Sequence, residues 1–116
     1  MDSAQSLSRS FSLKGENSMY ASATQIQLLP DKIDEVVRIF ENDVVAAVKT
    51  FPGLQHFYLL TDAETGKGYT ITVFETEEAA SAFYSSGLFQ QQLGKIRESF
   101  AGPPPMREIF QVRVHF

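Results

Sequence analysis

The sequence predicts an α+β fold with the ferredoxin-like element order β-α-β-β-α-β, in which helices back an antiparallel sheet. Three features of the chain indicate this fold. Strand-like runs occur near both ends of the chain and as a central pair. An apolar stripe of helical period follows the first run. The third run passes directly into a helix at Thr76, where a threonine and two following acids form a typical helix start.

The first half of the chain contains the predicted first strand and the longest predicted helix. The strand covers residues 19–29, and one of its faces carries Ser22, Thr24, Ile26 and Leu28. Pro30 ends the strand because proline has no backbone N–H to donate, and Asp31 is the predicted N-cap of the helix. The apolar residues of this helix recur at intervals of three and four: Ile33, Val36, Val37, Phe40, Val44 and Val48.

The second half of the chain contains three strands and two helical pieces. Strands are predicted over residues 54–61 and 69–75, joined by a polar loop with the glycines that a hairpin needs. A helix over 76–84 and a second helical piece over 88–100 follow. Gly102 and the three prolines after it prevent further helix, so the last strand is predicted over 109–116.

Composition places limits on domain number and on partners. A chain of 116 residues with 43% hydrophobic residues is expected to form one globular domain. Its net charge of −4 argues against nucleic-acid binding, which needs a basic surface. No apolar run is long enough to predict a membrane span. Because the chain has no cysteine, nothing indicates an oxidising compartment, and a cytoplasmic location is the expectation.

The first 18 residues differ in composition from the rest. They are rich in serine, their charges cancel, and they lack the apolar core of a secretory signal. We therefore expect residues 1–18 to be a flexible extension and residues 19–116 to form the folded domain.

Two motifs in the folded part resemble a known family. Residues 51–54 read Phe-Pro-Gly-Leu at the entrance to a strand, and residues 73–79 read Val-Phe-Glu-Thr-Glu-Glu-Ala at the start of a helix. Together with the loop at Asp62, this pattern resembles the antibiotic biosynthesis monooxygenase family, from about residue 20 to the end of the chain. The resemblance implies a dimeric α+β barrel, in which the sheets of two chains close a barrel.

The resemblance also bears on cofactors. Haem-degrading members of similar layout rely on an asparagine, a tryptophan and a histidine, and these positions fall on Thr24, Phe83 and Leu93 here. Leucine cannot ligate iron and the chain has no tryptophan, so no haem is expected. The two histidines, His56 and His115, lie far apart in sequence with no carboxylate at ligand spacing, so no metal is expected either. The expected cofactor is none.

A candidate site follows from one assumed strand pairing. If Tyr58 pairs with Thr70, then His56 lies opposite Thr72 on the same face, close to Thr24 of the first strand. His56 is suited to proton transfer near neutral pH, with Tyr58 orienting it. The predicted pocket around this catalytic pair is formed by Thr24, Thr70, Thr72, Phe83, Tyr84, Phe89 and Leu93. The alternative is a histidine and a tyrosine with only a structural role on a sheet face or at an interface.

Two functions are compatible with these observations. The first is a cofactor-independent monooxygenase acting on a small hydrophobic aromatic or quinone-type substrate, which reacts with oxygen once deprotonated. The second is a non-catalytic binding or accessory module of the same fold, which the missing family catalytic residues favour. A position of His56 inside the pocket separates the first function from the second.

A homodimer is expected from the residue pattern as well as from the resemblance. The second and third strands are apolar on both faces, whereas helices can cover only one face. The uncovered face would invite association, and a second copy of the sheet would cover it.

Overall fold

The computed structural model describes residues 18–116 and contains a four-stranded sheet with helices on one face. The strands are β1 Tyr20–Gln27, β2 Leu54–Thr61, β3 Lys67–Phe74 and β4 Met106–Gln111. Their spatial order is β2-β3-β1-β4, and every neighbouring pair is antiparallel. The predicted ferredoxin-like fold is therefore confirmed. The predicted flexible extension lies outside the described residues except for Ser18, whose hydroxyl accepts a 2.9 Å hydrogen bond from the Gln111 amide.

The first helical stretch is continuous but changes its winding. A 3₁₀ turn, Pro30–Lys32, leads into α1, Ile33–Ile39; a π-helical segment, Phe40–Val44, then joins it to α2, Val45–Val48. The predicted apolar stripe faces the sheet, and its buried members are Ile33, Val36, Phe40, Val44 and Val48. The prediction that Asp31 caps this helix is wrong, because Pro30 already starts the 3₁₀ turn and no side chain caps either helical start.

The second helical region begins as the sequence predicts. In α3, Glu77–Ser85, the Thr76 hydroxyl accepts a 3.0 Å hydrogen bond from the backbone N–H of Ala79, which confirms Thr76 as the N-cap. Gly87 has a positive φ of 78° and turns the chain into α4, Leu88–Gly94. The predicted helix over 88–100 is too long, since the chain tightens after Gly94 into a 3₁₀ turn, Arg97–Ser99.

The last strand also differs from its prediction. It begins at Met106 rather than at residue 109, and it ends at Gln111 because its partner β1 begins at Tyr20, the residue opposite Gln111. Beyond that pair one more bond forms, from the Val112 N–H to the Met19 carbonyl. Among residues 18–116, no helix combines the length and hydropathy that crossing a membrane requires.

The register of the central hairpin is offset by one residue from the predicted one. Leu54 lies opposite Phe74 as that register requires, but a β-bulge at Gln55 shifts the pairing, so that Tyr58 lies opposite Ile71 instead of Thr70. Since side chains alternate between faces, a one-residue shift moves each side chain of β2 to the other face. Phe57 and Leu59 consequently face the helices.

The sheet therefore has two different faces. The inner face, toward the helices, carries a row of small polar residues on the two central strands: Ser22, Thr24, Thr70 and Thr72. No helix within residues 18–116 covers the outer face. This face carries His56, Tyr58, Leu60, Tyr69, Ile71, Val73, Ala21, Ala23, Met106 and Phe110.

Candidate ligand cavity

A cavity of about 460 Å³ opens between the inner face of the sheet and α4. The sheet contributes residues of β1 and β4, and the roof comes from α4, the following turn and the proline segment before β4. The lining residues are Thr24, Phe89, Gln90, Leu93, Gly94, Arg97, Phe100, Pro104, Pro105 and Arg107. The volume lies in the range usual for small-molecule sites, and most of the lining is apolar.

The floor of the cavity contains a buried hydroxyl with no partner. Thr24 is 2% exposed, and its Oγ1 has no hydrogen-bond partner among residues 18–116. Thr70, directly opposite on β3, has an unpaired Oγ1 as well, but it does not line the cavity. An unsatisfied buried hydroxyl costs about 1–3 kcal/mol, so a ligand atom that pairs with Thr24 would recover part of that cost.

Two arginines give the cavity a positive charge. Arg97 belongs to the turn after α4, and Arg107 lies on β4 directly opposite Thr24. Within the described residues, neither guanidinium lies within 4.0 Å of a carboxylate. The guanidinium carbon of Arg107 lies 3.9 Å from the centroid of the Tyr84 ring, a cation–π contact that orients it. The hydroxyl of Tyr84 is hydrogen-bonded to that of Ser22, which fixes the ring in turn.

Three residues of the predicted pocket line the cavity: Thr24, Phe89 and Leu93. The other four predicted residues lie near it but do not line it. Phe83 is fully buried and packs against Phe89, with ring centroids 6.0 Å apart. The ring of Tyr84 contacts the guanidinium group of Arg107. Thr70 and Thr72 are buried on the inner face, opposite Thr24 and Ser22 of β1, and do not line the cavity.

The predicted grouping of His56 and Tyr58 with these threonines is wrong. Both side chains lie on the outer face, opposite Val73 and Ile71, because of the bulge-shifted register. Their rings stack on each other, with centroids 6.2 Å apart, and Tyr58 is 50% exposed. The sheet itself thus separates both rings from the cavity of their own chain.

The two arginines were not recognised from the sequence. Arg97 lies inside the predicted helix over 88–100 and is not one of the apolar residues from which that helix was recognised. Arg107 precedes the predicted start of the last strand, so it was not placed on the sheet. The available signal was the pattern of the last strand, since extending it by three residues puts Arg107 on the same face as Ile109.

Comparison with known proteins identifies the family of the chain. The model of the family described as antibiotic biosynthesis monooxygenase matches residues 19–93. No curated protein sequence matches the chain significantly.

Solved structures of low sequence identity share the fold. A candidate antibiotic biosynthesis monooxygenase from Caulobacter crescentus is 20% identical with a TM-score of 0.70, and the match covers 84% of this chain and 92% of that one. A candidate member from Nitrosomonas europaea is 16% identical, with a TM-score of 0.67 and coverage of 88% and 95%. The Streptomyces coelicolor monooxygenase from ActVA-Orf6, solved with the ligand nanaomycin D, is 14% identical, with a TM-score of 0.68 and coverage of 86% and 92%.

Proposed function

We propose a function from the premise that the chain belongs to the antibiotic biosynthesis monooxygenase family. The proposed function is that of a cofactor-independent monooxygenase, which binds a small aromatic or quinone-type compound in the cavity under α4. The cavity carries this proposal, because it combines apolar walls with one unpaired hydroxyl, that of Thr24, on its floor. The nanaomycin D complex of the S. coelicolor structure supports it by example, since that related fold holds a small molecule.

The proposed reaction needs no external reductant. For a phenol with a free para position, one atom of O₂ becomes the second carbonyl oxygen of a quinone. The para C–H hydrogen and the hydroxyl hydrogen leave with the other oxygen atom as water, and the substrate supplies all the electrons. The protein would contribute a largely apolar cavity, an orienting hydrogen bond at Thr24 and an electrostatic environment that favours the ionised substrate.

The second candidate function is binding without catalysis, and one observation favours it. The part of the cavity lining that residues 18–116 form contains no histidine and no carboxylate, and His56 lies on the opposite side of the sheet. Among residues 18–116, a substrate that must lose a proton therefore meets no histidine or carboxylate general base in the cavity lining. Oxygen consumption with an acidic phenol separates the two functions, because a binding module would take up the compound without consuming oxygen.

Filling part of the cavity is expected to weaken ligand binding. Gln90 and Gln91 are both exposed on α4, but only Gln90 lines the cavity. In Gln90→Trp the indole would fill cavity space and lower the affinity for a bound aromatic compound by about tenfold or more, the effect of losing roughly 1.4 kcal/mol. The matched variant Gln91→Trp should bind normally. Equal binding by both variants, measured by calorimetric titration, would place the ligand elsewhere.

The sequence-based proposal that His56 is a proton acceptor, with Tyr58 orienting it, is tested by His56→Ala. His56 lies outside the hydrophobic core of the chain, so its removal leaves no core cavity and should keep the melting temperature within a few degrees of the wild type. Loss of oxygen consumption at an unchanged melting temperature would support a catalytic role for His56. Retained activity would leave catalysis to the residues of the cavity.

We also propose that two chains pair through their outer sheet faces. On that face Tyr58 and Leu60 are each 50% exposed, Phe110 is 54% exposed, and the apolar side chains of β3 lie between them. A contiguous apolar surface of this kind marks an interaction site. A second copy, related by a two-fold axis, presents the same surface and can cover it.

A further inference from the structure

We infer that the cavity selects aromatic ligands that carry an ionised oxygen group, a carboxylate or a phenolate, and that Arg97 and Arg107 bind this group. The inference rests on the proposed function only in placing an aromatic ligand in the cavity. It adds the two residues that bind the ionised group and extends the ligand class to carboxylates.

The first argument is the contrast between the cavity and the whole chain. The chain carries 14 acidic and 10 basic residues, and its net charge is −4. The cavity lining described for residues 18–116 nevertheless includes two arginines and no acid. Two guanidinium groups facing one cavity repel each other unless an anion lies between them or solvent screens them. Both arginines are exposed residues, so solvent screens part of this repulsion, and an anionic ligand in the cavity would lower what remains.

The second argument is that Arg107 is held in place before any ligand binds. Its guanidinium lies over the Tyr84 ring, and the Tyr84 hydroxyl is bonded to Ser22 on the neighbouring strand. Pro104 and Pro105, just before β4, restrict the backbone that leads to it. An arginine fixed in this way loses little side-chain entropy when it forms hydrogen bonds, and its planar fork matches the two oxygens of a carboxylate.

The third argument is the position of Thr24. Thr24 and Arg107 are directly opposite each other on β1 and β4, and both line the cavity from the inner face. Side chains at such positions have Cβ atoms about 5 Å apart. An ionised oxygen bound to Arg107 can therefore also accept the hydrogen of the Thr24 hydroxyl, which has no partner within residues 18–116. Phe89 and Phe100 then provide apolar surface for the ring.

The test is a calorimetric comparison of 2-naphthoate with its neutral analogue 2-naphthamide, using the full chain. We expect the wild type to bind the carboxylate about tenfold or more tightly than the amide, as hydrogen bonds to a charged partner predict. Arg97→Gln and Arg107→Gln should each remove most of this preference. Arg38→Gln, which removes one charge from the exposed surface of α1, should keep it. Circular dichroism of each variant reports whether the fold is intact.

A third compound, 4-nitro-1-naphthol, distinguishes the two kinds of anion. Tighter binding above the pKa of its hydroxyl than below it would show that phenolates are accepted, whereas no change would restrict the site to carboxylates. Equal affinity of the wild type for naphthoate and naphthamide would overturn the inference and leave the proposed function standing. Equal losses in the three arginine variants would overturn it as well. Selective naphthoate binding without oxygen consumption by any phenol would support the inference while the proposed oxygenase activity fails.

Discussion

Phe83→Ala is expected to lower the free energy of unfolding by about 3–5 kcal/mol, the cost of removing a large aromatic side chain from a packed core. Phe83 is fully buried and lies at the centre of the aromatic cluster between α3 and the sheet. Its ring centroid is 5.1 Å from that of Phe51 and 5.4 Å from that of Phe74, and it also contacts Tyr84 and Phe89. Four neighbouring rings would collapse only partly into the space that alanine leaves.

Urea unfolding followed by circular dichroism measures this effect, provided that the dependence on urea concentration is unchanged. Ser81→Ala is the matched control, because Ser81 lies on the same helix with an exposed side chain. The control should change the free energy of unfolding by no more than about 0.5 kcal/mol. A loss below about 1 kcal/mol for Phe83→Ala would contradict the packing described for this cluster.

Ile71→Lys is expected to convert the proposed dimer into a monomer. Ile71 lies in the middle of the outer face, with Tyr58 opposite it on one side and Ala23 on the other. In a two-fold dimer both chains carry the new lysine, so the apolar interface would contain two ammonium groups. Each unpaired ammonium group buried there costs several kcal/mol. Light scattering after gel filtration should give twice 13.0 kDa for the wild type and 13.0 kDa for the variant.

Val45→Lys provides the control for this experiment. Val45 is a partly exposed apolar residue, 37% exposed, but it lies on α2 on the helical side of the sheet. The variant should keep the wild-type mass. A wild-type mass of 13.0 kDa at micromolar concentration would refute the dimer, and dissociation of both variants would show that the outer face is not the specific interface.

The sequence predicted the strands well where a single residue pattern determines the side-chain faces. In β1, Ser22, Thr24 and Ile26 were predicted to share one face with alanines and glutamines on the other, and the structure has the same faces. Thr76 was predicted correctly because a helix cap depends on only a few neighbouring residues. In contrast, β2 reads Leu-Gln-His-Phe-Tyr-Leu-Leu-Thr, which is apolar on both faces, so its pattern does not determine the register.

The candidate site was only partly predictable for the same reason. Thr24, Phe89 and Leu93 lie on elements whose faces the sequence determines, and these residues line the cavity. His56 and Tyr58 were misplaced by the bulge, which involves backbone geometry rather than a residue preference. Arg97 and Arg107 lie at the ends of secondary-structure elements, and the exact ends depend on tertiary pairing more than on local sequence.

The bulge at Gln55 also determines at which position of β2 the loss of one residue preserves the two faces of the sheet. Leu54 pairs with Phe74 and His56 pairs with the next residue, Val73, so Gln55 has no partner residue on β3. An in-frame deletion of its codon would leave a regular strand in which every later side chain keeps its side. An in-frame deletion of any codon from 57 to 60 would instead exchange inner-face and outer-face residues over the part of the strand beyond it.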